Sequence, residues 1–201
     1  MAQVFKEKGA GGVESFWFAG NDAFTEKESP DVTHRGLDVE AQLDYDPARN
    51  ANSTLISQGD PQLGWAIHFI DGKPAFTINY DGLHTTLKAD EALKEASHIT
   101  VRGLLGLDGL LSLNVTGLKS GARGYAPMYN SFPRKLTPGL QIGHNVGPLA
   151  RETYPNSANF EGNISYVRLS LLPALPPSVA EAQPAKTAPA KTQPKTKGKK
   201  S

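Results

Sequence analysis

The chain predicts an all-β protein, built as a two-sheet antiparallel sandwich. Three features carry that prediction. Gly64 to Ile78, GWAIHFIDGKPAFTI, reads as two strands joined at Asp71-Gly72, because Asp-Gly between hydrophobic runs favours a two-residue hairpin loop. Gly36 to Tyr45, GLDVEAQLDY, alternates cleanly: Leu37, Val39, Ala41, Leu43 and Tyr45 face one way, and Asp38, Glu40, Gln42 and Asp44 the other. That is the pattern of a half-buried strand with one wet face. Asp-Gly recurs at Asp81-Gly82 and Asp108-Gly109, so strand and turn repeat along the chain.

Taken in order, residues 1–14 are polar and Gly-rich and are expected to be a flexible N-terminal segment. Ser15 to Phe18, SFWF, has two readings. One is an edge or terminal strand tucking Phe16 or Trp17 into the core; the other is an exposed aromatic platform for a sugar ring. Asn21 to Thr33 reads as loop, with a turn at Ser29-Pro30-Asp31. Asp46-Pro47 ends the long strand, and Ala48 to Ser53 is a polar loop. Thr54 to Ser57 is the next strand. In the central hairpin, Trp65, Ile67 and Phe69 share one face while Ala66, His68 and Ile70 share the other. Leu83 to Leu87 follows as a short strand. Lys88 to Ala96 suits either a helical turn or a charged loop. His98 to Arg102 and Leu111 to Val115 are strands around the third Asp-Gly turn. Residues 116–138 form a long Gly- and Pro-rich loop, Leu140 to Gly143 a short strand, and 144–158 another loop. Phe160 to Leu172 closes the body, with Ile164, Tyr166, Arg168 and Ser170 alternating against Val167, Leu169 and Leu171.

This places one sandwich domain over 15–172 and a disordered tail over 173–201. In the tail Pro, Ala, Lys and Thr take over, and Glu181 is the last acidic residue. Such a composition buries too little apolar surface to offset chain entropy. Its lysines suit a solvated tail, or non-specific contact with polyanions such as nucleic acid or sulfated glycan.

Composition excludes several classes. The formal net charge is +1, so the body lacks the basic footprint of a nucleic-acid surface. The chain has no cysteine, which rules out disulfides, zinc-thiolate sites and cysteine nucleophiles. The first residues carry no apolar run of signal-peptide length, and no stretch approaches a membrane span. An exported parent would carry its signal outside this sequence.

With the strands in order, a resemblance emerges. GWAIHFIDGKPAF, His98-Ile99-Thr100-Val101, Leu140-Gln141-Ile142-Gly143 and FEGNISYVRL (160–169) together look like the laminin-G/concanavalin A-like jelly roll. They are most similar to its version at the C-terminus of bacterial arylsulfatase-type sulfatases. Ser29 to Arg35, leading into the first long strand, and Tyr154 to Gly162, before the closing one, fit the same pattern. The likeness spans roughly 29–172 and rests on turn and core positions. It implies an accessory module, non-catalytic in itself, that packs on a sulfatase catalytic domain and/or binds glycan, in a secreted or periplasmic parent. Alternatives are an independent adhesion or structural module with a protein partner, and a glycoside hydrolase on the same fold.

The catalytic signature of such a sulfatase, C/S-x-P-x-R, is missing: Ser131-Phe132-Pro133 is followed by Arg134-Lys135. A glycosidase needs paired carboxylates, about 5 Å apart for retention; Asp38 and Glu40, on one strand face, are the best pair. Calcium, the usual ion of this fold, needs several oxygens. Asp60, Asp81 and Asp108 lie in turns but form no dedicated run. Histidines 34, 68, 84, 98 and 144 have no paired metal spacing. The candidate ligand-binding residues are Tyr125, Tyr129 and Tyr154, in loops where exposed function concentrates. Phe132 shares that setting, and all four could equally anchor their loops to the body.

Overall fold

The computed structural model describes residues 5–118, 121–126, 132–144 and 158–173. Among them run β1 (Phe5–Lys8), β2 (Glu14–Phe18), β3 (Asp22–Ala23), β4 (Leu37–Tyr45), the short helix α1 (Pro47–Asn50), β5 (Ser53–Gly59), β6 (Leu63–Ile70) and β7 (Lys73–Tyr80). Then follow β8 (Leu83–Lys88), β9 (Ser97–Leu105), β10 (Leu110–Val115), β11 (Ala122–Tyr125), β12 (Gln141–Ile142), β13 (Ala158–Asn159) and β14 (Ile164–Leu171). They make two seven-stranded sheets. The first is ordered β1-β2-β14-β4-β9-β10-β11; the second is ordered β3-β12-β5-β6-β7-β8, with β13 beside β5. This is the predicted sandwich.

Strand β4 is the keel of the first sheet. Leu37, Val39, Ala41, Leu43 and Tyr45 are buried, and the intervening residues are half-buried or exposed. Its neighbours β14 and β9 turn Val167, Leu169, Val101 and Leu105 the same way. Across the gap, Trp65, Ile67 and Phe69 of β6 and Phe76 and Ile78 of β7 complete the core. Trp65 meets Phe76 edge-on, with ring centres 6.5 Å apart at 89°, the geometry an aromatic quadrupole favours. Gly103 on β9 lies under this layer. A Cβ there would stand 3.0 Å from Ile67 Cδ1 and 3.1 Å from Phe76 Cδ1.

The turns follow their chemistry. Asp71 and Gly72 have φ of 51° and 74°, and Asp81 and Gly82 have 51° and 73°. Both central residues are left-handed, as a type I′ hairpin demands. The third Asp-Gly is built differently. Gly106 N donates to Leu110 O at 2.8 Å, and only Gly109 carries a positive φ, 80°. This is the three-residue loop with a glycine bulge.

Several expectations change. Phe5–Lys8, placed in a flexible N-terminal segment by its polarity, pairs with β2 from Phe5↔Trp17 to Lys8↔Glu14; pairing satisfies its backbone although its side chains stay exposed. Of Lys88 to Ala96, Lys88 ends β8 and 89–96 is an irregular loop, not a helical turn. The polar loop after β4 contains α1, whose N-cap Asp46 accepts from Ala48 N at 2.9 Å. The long loop over 116–138 contains β11, paired with β10. The tail from 174 onward lies outside the described residues.

The second sheet also departs from the simple one-wet-face picture. Thr54, Ser57, Ala66, His68, Thr77 and Asn79 are buried as well as the core face. Several of the polar members are hydrogen-bonded across strands. His68 Nε2 lies 2.8 Å from Thr77 Oγ1, Thr77 Oγ1 lies 2.8 Å from Thr86 Oγ1, and His84 Nδ1 lies 2.6 Å from Asn79 Oδ1. These cross-strand bonds offset the burial of their groups, while the buried Ser57 Oγ makes no hydrogen bond.

Candidate functional site on the outer face of the first sheet

With the second sheet sealed along β5 to β7, the open β-surface is the outer face of the first sheet. Register lines up one row across six strands there: Phe5, Trp17, Arg168, Glu40, Arg102 and Asn114. The alternation of β2 sets its aromatic end. Phe18 enters the core and Phe16 packs against it, so Trp17 between them is turned outward and only half-buried. The core reading of SFWF holds for Phe16 and not for Trp17, and β2 lies between β1 and β14 rather than at the sheet edge.

Three groups surround Trp17. The Tyr166 ring centre is 5.4 Å away, the Arg168 guanidinium lies 5.6 Å from the indole centre, and Phe5, 64% exposed, stands beside it on β1. Glu40 ties the cluster together. Its Oε1 accepts from Tyr166 Oη at 2.8 Å and its Oε2 from Arg168 Nη2 at 3.1 Å. The hydrogen bond to Glu40 raises the Tyr166 pKa, so the phenol stays protonated and donating. Arg168 Nε is buried and takes no hydrogen bond. On the other side of β4, Asp38 accepts a fork from Arg102, at 2.8 Å from Nε and 2.7 Å from Nη2. Further along, Asp44 bonds His98 Nδ1 at 2.7 Å and Asn163 Nδ2 at 3.2 Å; these two bonds lower its pKa.

The result is an outward row of an indole, a phenol, and carboxylates and guanidiniums fixed by one another. Asp38 and Glu40, the best carboxylate pair in the sequence, are each held by a guanidinium. Neither lines any of the three described clefts. The largest of these, about 800 Å³, opens at the rim between Lys73, the 90–95 loop, His98 and Thr116.

Of the predicted ligand residues, Tyr125 alone lies among the described residues. Tyr125 is not in a loop but on the edge strand β11, 70% exposed, at the far side of the same sheet. Phe132 is fully buried and anchors its segment through a bridge to Thr33. Tyr129 and Tyr154 lie outside the described residues. Sequence reasoning did not single out Tyr166, Arg168 or Phe5. The period-two pattern of the last strand put Ile164, Tyr166 and Arg168 on one face; a register shift between Ile164 and Tyr166 turns Ile164 into the core instead, and nothing local said that β2 and β4 flank the strand.

Two of the three turn aspartates are engaged by their own turns. Asp60 Oδ1 accepts from Gln62 N and Leu63 N, both at 2.8 Å, and Asp108 Oδ1 from Leu110 N at 3.0 Å. They shape their own turns. Among the described residues no three His, Cys, Asp or Glu side chains converge on a metal position, and no helix is long and apolar enough to cross a membrane.

No protein-family profile matches the chain, and no curated protein does. Solved structures match its fold. Domains LG4–5 of the mouse laminin α1 chain superpose with a TM-score of 0.56 at 16% identity, over 84% of this chain and 40% of that one. The CBM40 domain of the Ruminococcus gnavus IT-sialidase, solved with α2,6 sialyllactose, gives 0.51 at 13% identity, over 81% and 95%. NanB with Optactamide gives 0.51 at 12%, over 82% and 27%. The fold is a jelly roll of the laminin-G type. The chain spans only 40% of the laminin fragment it resembles, and at these identities the likeness is one of fold alone.

Proposed function

We propose that this chain is a non-catalytic module that holds a glycan on the outer face of its first sheet, within a sulfatase-type parent enzyme. One observation carries the reading. Trp17 offers an outward aromatic face, with Tyr166, Arg168 and Glu40 fixed around it. A pyranose presents an apolar C–H face and a rim of hydroxyls, and an aromatic flanked by planar hydrogen-bonding groups complements both. The CBM40 neighbour, solved with a sialylated sugar, shows that a unit of this fold and size can be a glycan-binding module. The sulfatase parentage rests on the sequence resemblance of 29–172.

A glycan array of sulfated and unsulfated polysaccharides, with and without calcium, tests this. Binding that falls sharply in Trp17→Ala and Arg168→Ala supports the site. A second reading is docking onto a protein, such as the parent's catalytic domain. It is favoured by Phe5, a large apolar side chain exposed beside Trp17. No glycan binding, with tight Trp17-dependent binding to that catalytic domain, would replace the first reading with the second.

A further inference from the structure

Pro133-Arg134, where the sulfatase signature fails, has a place of its own in the fold. With Gln62, Leu63, Tyr80 and Asp81 it lines a cleft of about 240 Å³. The cleft sits at one end of the second sheet, where Leu63 begins β6 and pairs with Tyr80 at the end of β7. Among the described residues, the side chains of Gln62, Tyr80, Asp81 and Arg134 make no hydrogen bond or ion pair. On the outer face of the first sheet, by contrast, Arg102 and Arg168 are already taken by Asp38 and Glu40. We infer that this cleft is a binding site separate from the Trp17 row, and that it takes a single pyranose unit bearing one carboxylate or sulfate group.

The walls of the cleft are fixed by their own hydrogen bonds. Asp60 Oδ1 accepts from the amides of Gln62 and Leu63, both at 2.8 Å. Gly82 N donates to Gln62 O at 3.1 Å and so joins the two turns. A Cβ at Gly82 would stand 2.8 Å from Gln62 Oε1, so the glycine makes room for that side chain. Buried Phe132 roots Pro133-Arg134: it bridges to Thr33, and its carbonyl accepts from His34 N at 2.9 Å. Fixed walls that carry unpaired polar groups lower the ordering cost of binding.

The chemistry of the lining selects the ligand. A guanidinium takes a carboxylate or sulfate through two parallel N–H bonds. Asp81 accepts from hydroxyls, and the Gln62 amide both donates and accepts. Tyr80 and Pro133 give an apolar wall for the C–H bonds of a sugar ring. One arginine against one aspartate leaves the cleft without net charge, which suits one anionic group among hydroxyls and not a polyanion. The cleft is smaller than the about 300–1,000 Å³ of pockets that enclose a drug-sized molecule, which limits it to one ring.

Amide chemical-shift titration of the full chain tests the inference, with methyl glucuronide, methyl glucoside 6-sulfate and neutral methyl glucoside each added to about 50 mM. The two acidic sugars are expected to bind with millimolar dissociation constants and to shift Gln62, Tyr80 to Gly82 and Arg134. Arg134→Ala should weaken both about tenfold and leave the weaker binding of the neutral sugar unchanged. Arg134→Lys should keep part of the affinity. Trp17→Ala should leave the cleft's shifts as they are, so loss of this site and loss of the outer-face site are read by different variants. Absence of shifts in the cleft with both acidic sugars overturns the inference. So does equal binding of the neutral sugar, or binding of the acidic sugars untouched by Arg134→Ala.

Discussion

The Arg168 guanidinium lies 5.6 Å from the centre of the Trp17 ring and donates to Glu40 Oε2 at 3.1 Å. Three neighbouring strands, β2, β14 and β4, are thereby joined on the outside of the sheet as well as through their backbones. Arg168 Nε makes no hydrogen bond, so the side chain gains its place by stacking and charge more than by saturation of its donors.

Trp17 and Phe18 separate binding from folding. Trp17→Ala should weaken glycan binding about tenfold or more and cost roughly 1 kcal/mol of stability, since the ring is only half-buried. Phe18→Ala empties a core position and should cost about 3–5 kcal/mol. Calorimetric titration together with urea unfolding of both variants checks the split.

His68 makes the fold acid-sensitive. Complete burial lowers its pKa from 6.5 to about 3, so the folded protein keeps the imidazole neutral where the unfolded chain takes up a proton. The unfolded state then binds more protons between those two values. Stability is fully present above about pH 6.5 and declines as pH falls toward 3, by up to about 1.4 kcal/mol per unit. Urea midpoints at pH 7.5, 6 and 5 should fall in the wild type and change much less in His68→Gln. Equal slopes in the two proteins would refute this.

Gly103 allows the two sheets to approach. Gly103→Val would drive a side chain into Ile67 and Phe76 and should destabilise by about 2–3 kcal/mol. Thermal unfolding measures it; an unchanged Tm would show that the layer relaxes freely.

The Asp38–Arg102 fork is on the open face, with Arg102 half exposed. A double-mutant cycle with Asp38→Asn and Arg102→Gln should give a coupling of about 0.5–1 kcal/mol, shrinking in about 1 M salt. A coupling of several kcal/mol would instead mark a desolvated pair.

Local signals were legible where a period or a turn rule applied. The alternation of 37–45 appears in the structure residue for residue, and Asp71-Gly72 and Asp81-Gly82 close the hairpins they predict. Strands β1 and β11 were not legible, because FKEK and ARGY have no apolar period. They are strands because a neighbour offers an edge. Tyr125 was read as a loop residue for the same reason.

What the chain alone determined is which side of each strand is apolar, since side-chain period follows from backbone geometry. The tertiary structure decided which strands stand side by side. That order places Trp17 next to Arg168 and Arg168 next to Glu40, residues far apart in sequence, and it leaves one sheet's outer face open while the other's is buried along β5 to β7. Adjacency in a sheet is a property of long-range pairing, and no local propensity encodes it.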